Sequence, residues 1–313
     1  MSLISQDIER AGQILSSSGL VAVPTETVYG LAGNALDPLA VAKIFEAKNR
    51  PFFDPLIVHI GDVSQLHLFA TSVPEKAEKL MAAFWPGPLT LLFNKSTLIP
   101  DIVTSGLEKV AIRMPNHPMT LQLLQSLPFP LAAPSANPFG YVSPTEAAHV
   151  ESHLAHVVPM ILDGGPCGVG VESTIVDVGT FPVKILRLGG ITVEQIEECL
   201  NEKVDIQISS SKPSAPGMLE SHYAPRKPMF WHGDTPLVNN DAKTGCLSFE
   251  GNLSGDIVFE LSSKGDLTEA AARLFQGMRW LDEQDIDRIE VKKLPEIGLG
   301  RAMNDRLNRA CRS

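Results

Sequence analysis

Hydroxyl groups and two cations lie at the ends of neighbouring predicted elements near the start of the chain. Residues 24–31, PTETVYGL, follow a short apolar run, so the pattern predicts a strand that ends in a polar, glycine-terminated turn carrying Thr27. Lys48 and Arg50 come directly after residues 41–47, whose apolar spacing is helical. Hydroxyls and cations at adjacent element ends suit a small anionic ligand, and phosphate in particular. The pattern therefore indicates an enzyme pocket.

The spacing of Lys48 and Arg50 allows both side chains to reach one polyphosphate. Pro51 biases Arg50 toward extended backbone, and extended residues two apart project to the same side. The competing interpretation, which this pair alone favours, is an exposed helix C-terminus, where positive charge is stabilising. At such a helix end, replacing either residue would change the free energy of unfolding by under ~0.5 kcal/mol. His59, in a predicted apolar strand, is by itself more typical of a hydrogen-bonded core histidine.

Further polar residues follow another predicted strand. Ser135 and Asn137 come at the carboxyl end of the predicted strand at 130–133, where α/β sheets usually place ligand contacts. Ser143 lies just before a predicted helix, and helix N-termini favour anions. Turn formation and helix capping explain these three residues equally well.

Residues 163–177 form a glycine-rich segment that leads into a predicted strand. Glycine lets the backbone approach a ligand closely, although the same residues also suit a tight hairpin. The segment is not a Walker loop, because G-K-[ST] is missing, and it is not a clean G-x-G-x-x-G that opens a helix. Arg113 and Arg187 each end a predicted strand and are weak signals singly. With Lys48 and Arg50 they could converge into a basic pocket for a nucleotide.

The overall charge argues against a surface that holds nucleic acid mainly by its phosphates. The 313-residue chain has a net charge of −10. Residues 1–211 contain 12 basic and 21 acidic side chains, and residues 212–313 contain 14 and 15. Since neither part has an excess of positive charge, we expect no strong direct binding to nucleic acid.

The element pattern predicts two α/β domains joined by a linker. Strands and helices alternate over residues 1–208, and several strands follow one another too closely for helical crossovers, which predicts a mixed sheet. Residues 209–228 are rich in Ser, Pro and Gly and lack an apolar period, as expected of a linker. Residues 229–313 predict a second, smaller α/β domain.

The sequence lacks the features of membrane and secreted proteins. Its apolar runs all fall short of the ~20 residues needed to span a bilayer, and the N-terminus lacks the basic cluster of a signal peptide. The four cysteines are scattered, with no C-x-x-C pair and no histidines at metal-ligand spacing, which argues against a disulfide framework and a structural zinc site. We expect a cytoplasmic protein.

Taken together, these segments resemble the YrdC-type threonylcarbamoyl-AMP synthases, in the long form that carries an additional C-terminal domain. The matching segments are PTETVYGL, KIFEAKNRP, PLIVHI, FWPGPLTLLF, VAIRMPNHP, APSAN, GGPCGVGVESTIVD and ILRLGG, with SAPGMLESHYAP and DRLNRA matching the long form. The resemblance covers nearly the whole chain. It implies a twisted open mixed α/β sheet with a concave cavity, plus a smaller C-terminal α/β domain.

The activity implied by the resemblance is that of an L-threonylcarbamoyladenylate synthase, a nucleotidyltransferase. Such an enzyme joins L-threonine, bicarbonate and ATP into threonylcarbamoyl-AMP and releases pyrophosphate. The product feeds threonylcarbamoyladenosine formation at tRNA position 37 through downstream tRNA threonylcarbamoyl transferase proteins. Mg²⁺ is expected with ATP, without a metal site built from the protein.

Site residues also follow from the resemblance. The implied L-threonine site consists of Thr27, His59, Arg113, Ala133 and Ser173. The implied ATP site consists of Lys48, Arg50, Asp54, Ser135, Asn137, Ser143, Arg187, His222 and Tyr223, with Lys48 and Arg50 as the catalytic pair. His222 or Tyr223 would close over the nucleotide as a lid. Asp54 stands where family members commonly have Asn, which leaves its contact with ATP open.

Two alternatives remain at this point. One is an RNA-binding module of the same fold that lacks adenylylation, against which stand the acidic balance and the lid-like linker. The other is a carbamoyl-transfer enzyme that acts on another acceptor, since related domains occur in hydrogenase maturation factors. The second alternative predicts zinc-finger and acylphosphatase-like segments, and the sequence contains neither.

Overall fold

The computed structural model describes residues 3–208, 215–216, 223–234 and 242–312. The strands of the first domain are β1 (Leu3–Ser5), β2 (Val21–Val23), β3 (Gly30–Asn34), β4 (Ile57–His59), β5 (Leu89–Asn94), β6 (Lys109–Arg113), β7 (Leu131–Ala132), β8 (Met160–Leu162), β9 (Thr174–Asp177), β10 (Lys184–Arg187) and β11 (Asp205–Ile206). Its helices are α1 (Ile8–Ser16), α2 (Pro38–Lys48), α3 (Leu66–Phe69), α4 (Glu75–Phe84), α5 (Asp101–Thr104), α6 (Pro118–Ser126), α7 (Ala147–Leu154) and α8 (Val193–Leu200), with a 3₁₀ turn at Val63–Gln65. The second domain contains β12 (Met229–Trp231), β13 (Thr244–Ser248), β14 (Ile257–Glu260), α9 (Leu267–Glu283), β15 (Arg288–Val291) and α10 (Leu299–Ala310).

The strands of the first domain form one mixed sheet, as the sequence predicts. Their order is β1-β8-β2-β3-β7-β4-β6-β5-β9-β10-β11. The β4/β6 and β5/β9 pairs are parallel, whereas β5/β6 and β9/β10 are antiparallel. The strand register places His59 opposite Arg113, and Arg113 opposite Thr90. Three polar side chains on three neighbouring strands therefore lie in one row across the sheet.

The polar turn predicted after β2 is the loop of a β-hairpin. Strand β3 begins at Gly30, pairs antiparallel with β2, and pairs on its other edge with β7. A Cβ at Gly30 would lie only 3.2 Å from the Cβ of Ala133, so glycine permits this close approach. Thr27 is thereby held in the hairpin loop beside the end of β7.

Helix α2 carries the chain to Lys48 and Arg50 and is stopped by backbone geometry. Asp37 caps its N-terminus by accepting a hydrogen bond from the Leu39 amide, and Pro38 suits the first turn. At the other end Asn49 adopts a left-handed conformation with φ 52°, and the Arg50 amide donates to the carbonyl of Phe45. The chain thus reverses into the protein at Arg50.

The second domain is built on a four-stranded parallel sheet with the order β12-β15-β13-β14. Its core is continuous with the first domain, because Val28, Val142 and Val171 pack in the same buried cluster as Phe275 and Met303. Helices α9 and α10 both contribute residues to this cluster. Among the described residues, no helix is long and apolar enough to cross a bilayer.

Gly170, in the glycine-rich segment, lies against the second domain. Its φ is +75°, and a Cβ there would come within 2.3 Å of the Ala271 carbonyl oxygen and 2.4 Å of the Ala272 Cα. The expectation that these glycines let the backbone approach a ligand is therefore wrong at this position. The close approach is to helix α9.

We expect Gly170→Ala to reduce the free energy of unfolding by about 1–3 kcal/mol, because the added methyl group overpacks the domain interface. Gly165→Ala is the matched control, since Gly165 has a similar φ of +78° but open space around the Cβ position. Urea unfolding of both variants measures the difference. Equal stability of the two variants would show that α9 does not lie against Gly170 in solution.

Candidate active site

One cavity of the first domain brings together residues from the hairpin loop, the helix end and four strand ends. Nine of the predicted site residues line it, namely Thr27, Arg50, His59, Arg113, Ala133, Ser135, Ser173, Arg187 and Tyr223. Lys48, Asp54, Asn137 and Ser143 are buried but do not line the cavity. His222 lies outside the described residues.

The cavity is small. Its volume is about 50 Å³, well below the roughly 300–1,000 Å³ of typical ligand pockets. Pro216 and Tyr223, from the region predicted to be a linker, form part of its wall. Ala215 is buried against Ile57 and Leu186 of the sheet. This region is therefore part of the site as well as a connection between domains.

Arg113 is fixed at one end of the cavity by three contacts. Its Nη1 donates to Thr27 Oγ1 at 2.9 Å, and its Nε donates to the Gly87 carbonyl at 3.2 Å. Its Nη2 lies 2.6 Å from Glu26 Oε1, in an ion pair that lacks the alignment of a hydrogen bond. The guanidinium thus points at the cavity in one orientation while retaining hydrogen-bonding capacity at Nη2.

His59 is the neutral group beside Arg113. Burial, together with the charge of Arg113, lowers the pKa of His59 to about 3, so the imidazole is uncharged at neutral pH. Its Nδ1 is buried and has no hydrogen-bond partner among the described residues. A buried polar atom without a partner is costly, and here it belongs to a side chain of the cavity wall.

Ser173 and Arg187 form another part of the cavity wall. Arg187 donates from Nε to the Ser173 carbonyl at 3.0 Å and from Nη2 to Ser173 Oγ at 2.9 Å. Ser173 Oγ also lies 2.8 Å from Thr90 Oγ1. Burial lowers the pKa of Arg187 to about 10, while Tyr223 and Glu172 oppose the shift. Arg187 therefore stays charged at neutral pH.

Lys48 is buried, with 1% of its surface exposed, so the interpretation as an exposed helix end is wrong for it. Its Nζ donates to the carbonyls of Ser135 and Asn137, and lies 3.3 Å from Asn137 Oδ1. Burial, with Arg50 nearby, lowers the pKa of Lys48 well below its usual value. Lys48 therefore fixes the loop that carries Ser135.

Arg50 is buried as well. It pairs with the carboxylate of Asp54, whose contact with ATP the family resemblance left open. Its Nε donates to the Asp54 carbonyl at 3.0 Å, and its Nη2 lies 2.9 Å from Asp54 Oδ2. Burial raises the pKa of Asp54, whereas Arg50 and Lys48 lower it. Removing one member of such a buried pair costs about 3–5 kcal/mol. The predicted small effect of substitution at Lys48 and Arg50 on stability is therefore wrong, because neither side chain is at the surface.

Asn137 and Ser143 do not line the cavity but form hydrogen bonds with residues near it. Asn137 Nδ2 donates to the carbonyls of Pro138 and Tyr141, and Ser143 Oγ donates to Glu172 Oε1 at 2.6 Å. Both residues hold groups that shape the cavity.

Sequence reasoning missed Glu172 and Thr25, which line the cavity. Glu172 directly precedes Ser173. The signal available in the sequence was its position, because it is a carboxylate in the glycine-rich segment between Arg113 and Arg187. Thr25 Oγ1 lies 2.8 Å from Thr27 Oγ1 and donates to the Val28 carbonyl at 2.6 Å, so it supports the hairpin loop. Within the described residues, no group of three or more His, Cys, Asp or Glu could hold a metal ion.

Comparisons with known proteins identify the family of both domains. Residues 13–189 match the Sua5/YciO/YrdC family, described as "Telomere recombination", and residues 191–311 match the domain described as "Threonylcarbamoyl-AMP synthase, C-terminal domain". The threonylcarbamoyl-AMP synthase of Bacillus subtilis is 43% identical, over 97% of this chain and 92% of the relative. That of Pyrococcus abyssi is 41% identical, over 97% and 93%.

A solved structure shows the same fold over both domains. The crystal structure of P. abyssi Sua5 complexed with L-threonine matches with a TM-score of 0.90 and 38% identity, over 98% of this chain and 96% of the other. The predicted fold class, a mixed α/β sheet with a smaller second α/β domain, is confirmed. The chain belongs to the Sua5/YciO/YrdC family, in the form that carries the threonylcarbamoyl-AMP synthase C-terminal domain.

Proposed function

We propose that this chain is an L-threonylcarbamoyladenylate synthase, which forms threonylcarbamoyl-AMP and pyrophosphate from L-threonine, bicarbonate and ATP. The observation that carries the proposal is the cavity, whose wall contains three arginines (Arg50, Arg113 and Arg187) and the neutral His59. The full-length similarity to threonylcarbamoyl-AMP synthases supports the same reaction. An RNA-binding module without adenylylation is not favoured by any of these observations.

L-Threonine binds at the Arg113 end. The guanidinium of Arg113 pairs with the amino-acid carboxylate, because Thr27 and Gly87 orient it and its Nη2, which lies 2.6 Å from Glu26 Oε1, has no hydrogen-bond partner among the described residues. His59 supplies an uncharged hydrogen-bonding group that does not repel the amine. Ala133 and Ser173 complete the wall on either side.

ATP binds at the Arg50 and Arg187 end. Backbone carbonyls orient both guanidinium groups, and the Asp54 carboxylate offsets the charge of Arg50, whereas the contacts of Arg187 are neutral. Ser135 lines the cavity beside them, while Lys48, Asn137 and Ser143 act through the loops that they hold. Asp54 faces Arg50, so it positions that side chain and is not itself a phosphate ligand.

The chemistry requires positioning more than a protein nucleophile. The unprotonated threonine amine takes up CO₂, derived from bicarbonate, to give a carbamate and a released proton. A carbamate oxygen then attacks the α-phosphorus of ATP, and the bond from that phosphorus to the leaving pyrophosphate breaks. Arg50 and Arg187 stabilise the negative charge on the phosphates, and the cavity aligns the two reactants.

Mg²⁺ enters with the nucleotide. It would be held by phosphate oxygens and water, as is usual for this ion, and would neutralise part of the triphosphate charge. The carboxylates of Asp54 and Glu172 are engaged with Arg50 and Arg306, so they do not form a protein-held metal site.

The linker acts as a lid over the nucleotide. The 50 Å³ cavity is too small for ATP, so the wall formed by Pro216 and Tyr223 moves to admit it. Closure then excludes water from a labile mixed anhydride. The product passes to tRNA threonylcarbamoyl transferase proteins for modification at position 37, and this function places the chain in the cytoplasm.

Pyrophosphate release by the purified full-length protein tests the proposed function. We expect release to require both L-threonine and bicarbonate, because the carbamate is the nucleophile. Serine, which lacks the methyl group, should be a poorer substrate. Equal release with serine, or release that is unaffected by removing CO₂ and bicarbonate, would contradict the proposal.

Arg113→Lys tests the threonine end. Lysine keeps the charge but cannot form the two parallel hydrogen bonds of a guanidinium with a carboxylate. We expect KM for threonine to rise at least about tenfold, which corresponds to roughly 1.4 kcal/mol, with the Kd for ATP nearly unchanged. Arg10→Lys, at an exposed helix position, is the control. An unchanged KM for threonine would remove Arg113 from the substrate site.

The neutral state of His59 predicts a pH dependence of stability. The pKa of His59 is about 3 in the folded protein and about 6.5 in the unfolded chain. Below pH 6.5 the unfolded chain therefore takes up a proton that the folded protein excludes, and the free energy of unfolding falls. Between pH 7.5 and 5.5 this costs about 1.4 kcal/mol. Denaturant unfolding of the parent protein and of His59→Gln at both pH values measures this cost. The fall in the free energy of unfolding should be smaller by that amount in His59→Gln. Equal falls in the two proteins would mean that His59 is accessible to protons.

A further inference from the structure

Arg306 reaches from helix α10 of the second domain into the wall of the active-site cavity. None of its surface is exposed. Its Nε lies 2.9 Å from Glu172 Oε2, and its Nη2 donates to the Leu188 carbonyl at 2.7 Å. Its guanidinium carbon lies 5.0 Å from the centre of the Tyr223 ring, which is within cation–π range. One side chain of the second domain thus contacts three segments around the cavity.

These contacts join the start of β9 to the end of β10, which are neighbours in the antiparallel pair. Glu172 immediately precedes Ser173 and β9, and Leu188 immediately follows Arg187 at the end of β10. The backbone segments are already close, since a Cβ at Gly189 would lie 2.2 Å from the Glu172 carbonyl oxygen. Arg306 therefore holds the segment that presents Arg187 to the cavity.

Glu172 is also a potential competitor for Arg187. Burial would raise the pKa of Glu172, but the charges of Arg306 and Arg187 and the hydrogen bond from Ser143 lower it below its usual value, so it is an anion. One carboxylate oxygen accepts from Ser143 and the other from Arg306. Both oxygens are therefore occupied.

Arg187 differs from the other cavity arginines in its partners. Arg50 pairs with Asp54 and Arg113 with Glu26, whereas Arg187 has no carboxylate within ion-pair distance among the described residues. Its contacts are the backbone and hydroxyl of Ser173 and a 3.5 Å contact with the Pro216 carbonyl. Arg187 is therefore the cavity arginine whose charge is not offset by a carboxylate within ion-pair distance among the described residues.

We propose that Arg306 is a positioning residue by which the second domain completes the nucleotide site: it binds Glu172, and so leaves the charge of Arg187 available to phosphate. The proposal rests on the proposed function, in which Arg187 contacts ATP. Without Arg306, one oxygen of Glu172 loses its partner and turns to Arg187, which then binds phosphate less well. The C-terminal domain is thus part of the ATP site although it contributes no direct ligand.

A charge-removal cycle in the full-length protein tests this role. The variants are Arg306→Met, Glu172→Gln and the double variant, with Arg301→Met as the matched control. Arg301 lies on the same helix and pairs with Glu194 of the first domain at 2.7 Å, at the rim of the interface and away from the cavity. The readouts are the Kd of ATP by calorimetry without threonine, and KM and kcat from pyrophosphate release.

We expect Arg306→Met to raise the Kd and KM for ATP at least tenfold, with a smaller change in KM for threonine. The double variant should recover to within about threefold of the parent, because it removes the competing carboxylate along with its partner. Arg301→Met should bind ATP like the parent. If Arg306→Met does not fold, Arg306→Gln with and without Glu172→Gln provides the same comparison, because glutamine also removes the charge.

Three results would overturn the proposal. They are an unchanged Kd for ATP in folded Arg306→Met, a double variant that binds ATP no better than Arg306→Met, and an equal loss in Arg301→Met. Failure of the proposed function is seen separately. In that case the parent protein binds ATP, and the variants still change its Kd, but no threonine-dependent pyrophosphate release occurs.

Discussion

The structure depends on stabilising buried basic side chains without the help of water. Lys48, Arg50, Arg113 and Arg187 are each less than 10% exposed, and an unpaired buried charge is strongly destabilising. Backbone carbonyls provide much of the compensation, as at Ser135 for Lys48 and at Ser173 for Arg187. Because a carbonyl dipole orients a cation without neutralising it, the cavity remains a site for an anion.

Carboxylates around the cavity also compensate buried arginines. Glu26, Asp54 and Glu172 lie near Arg113, Arg50 and Arg306 respectively. Two of these arginines belong to the cavity wall, and the third comes from the second domain. The second domain is therefore bound to the first by more than apolar packing. Its position is further defined by Gly170, where only hydrogen leaves room for helix α9.

Local sequence patterns predicted much of the fold, but they did not predict that the site side chains are buried. The strands that contain His59, Arg113 and Arg187 were predicted from local apolar runs, because those runs are long enough to define a buried strand. The strand at Gly30–Asn34 was not predicted, since Gly30, which lies close to Ala133, and Gly33 both have low strand propensity. Site residues could be named because they match a family pattern.

The environment of the helix end at Lys48 could not be predicted from its own segment. The pattern around Lys48 is that of an exposed helix terminus, and the residues that bury it, Ser135 and Asn137, come almost ninety positions later. Glu172 was missed for the same reason, because its role depends on Arg306, which is 134 positions away. Contacts of this kind are set by tertiary packing, which local spacing does not encode.

The most direct test of the account is the identity of the adenylate. The full-length protein is incubated with ATP, L-threonine and ¹³C-bicarbonate, and the product is analysed by mass spectrometry after rapid quenching. The account predicts an AMP conjugate that contains threonine and one additional carboxyl carbon carrying the label. An unlabelled threonyl-AMP, or no threonine-containing AMP conjugate at all, would contradict it.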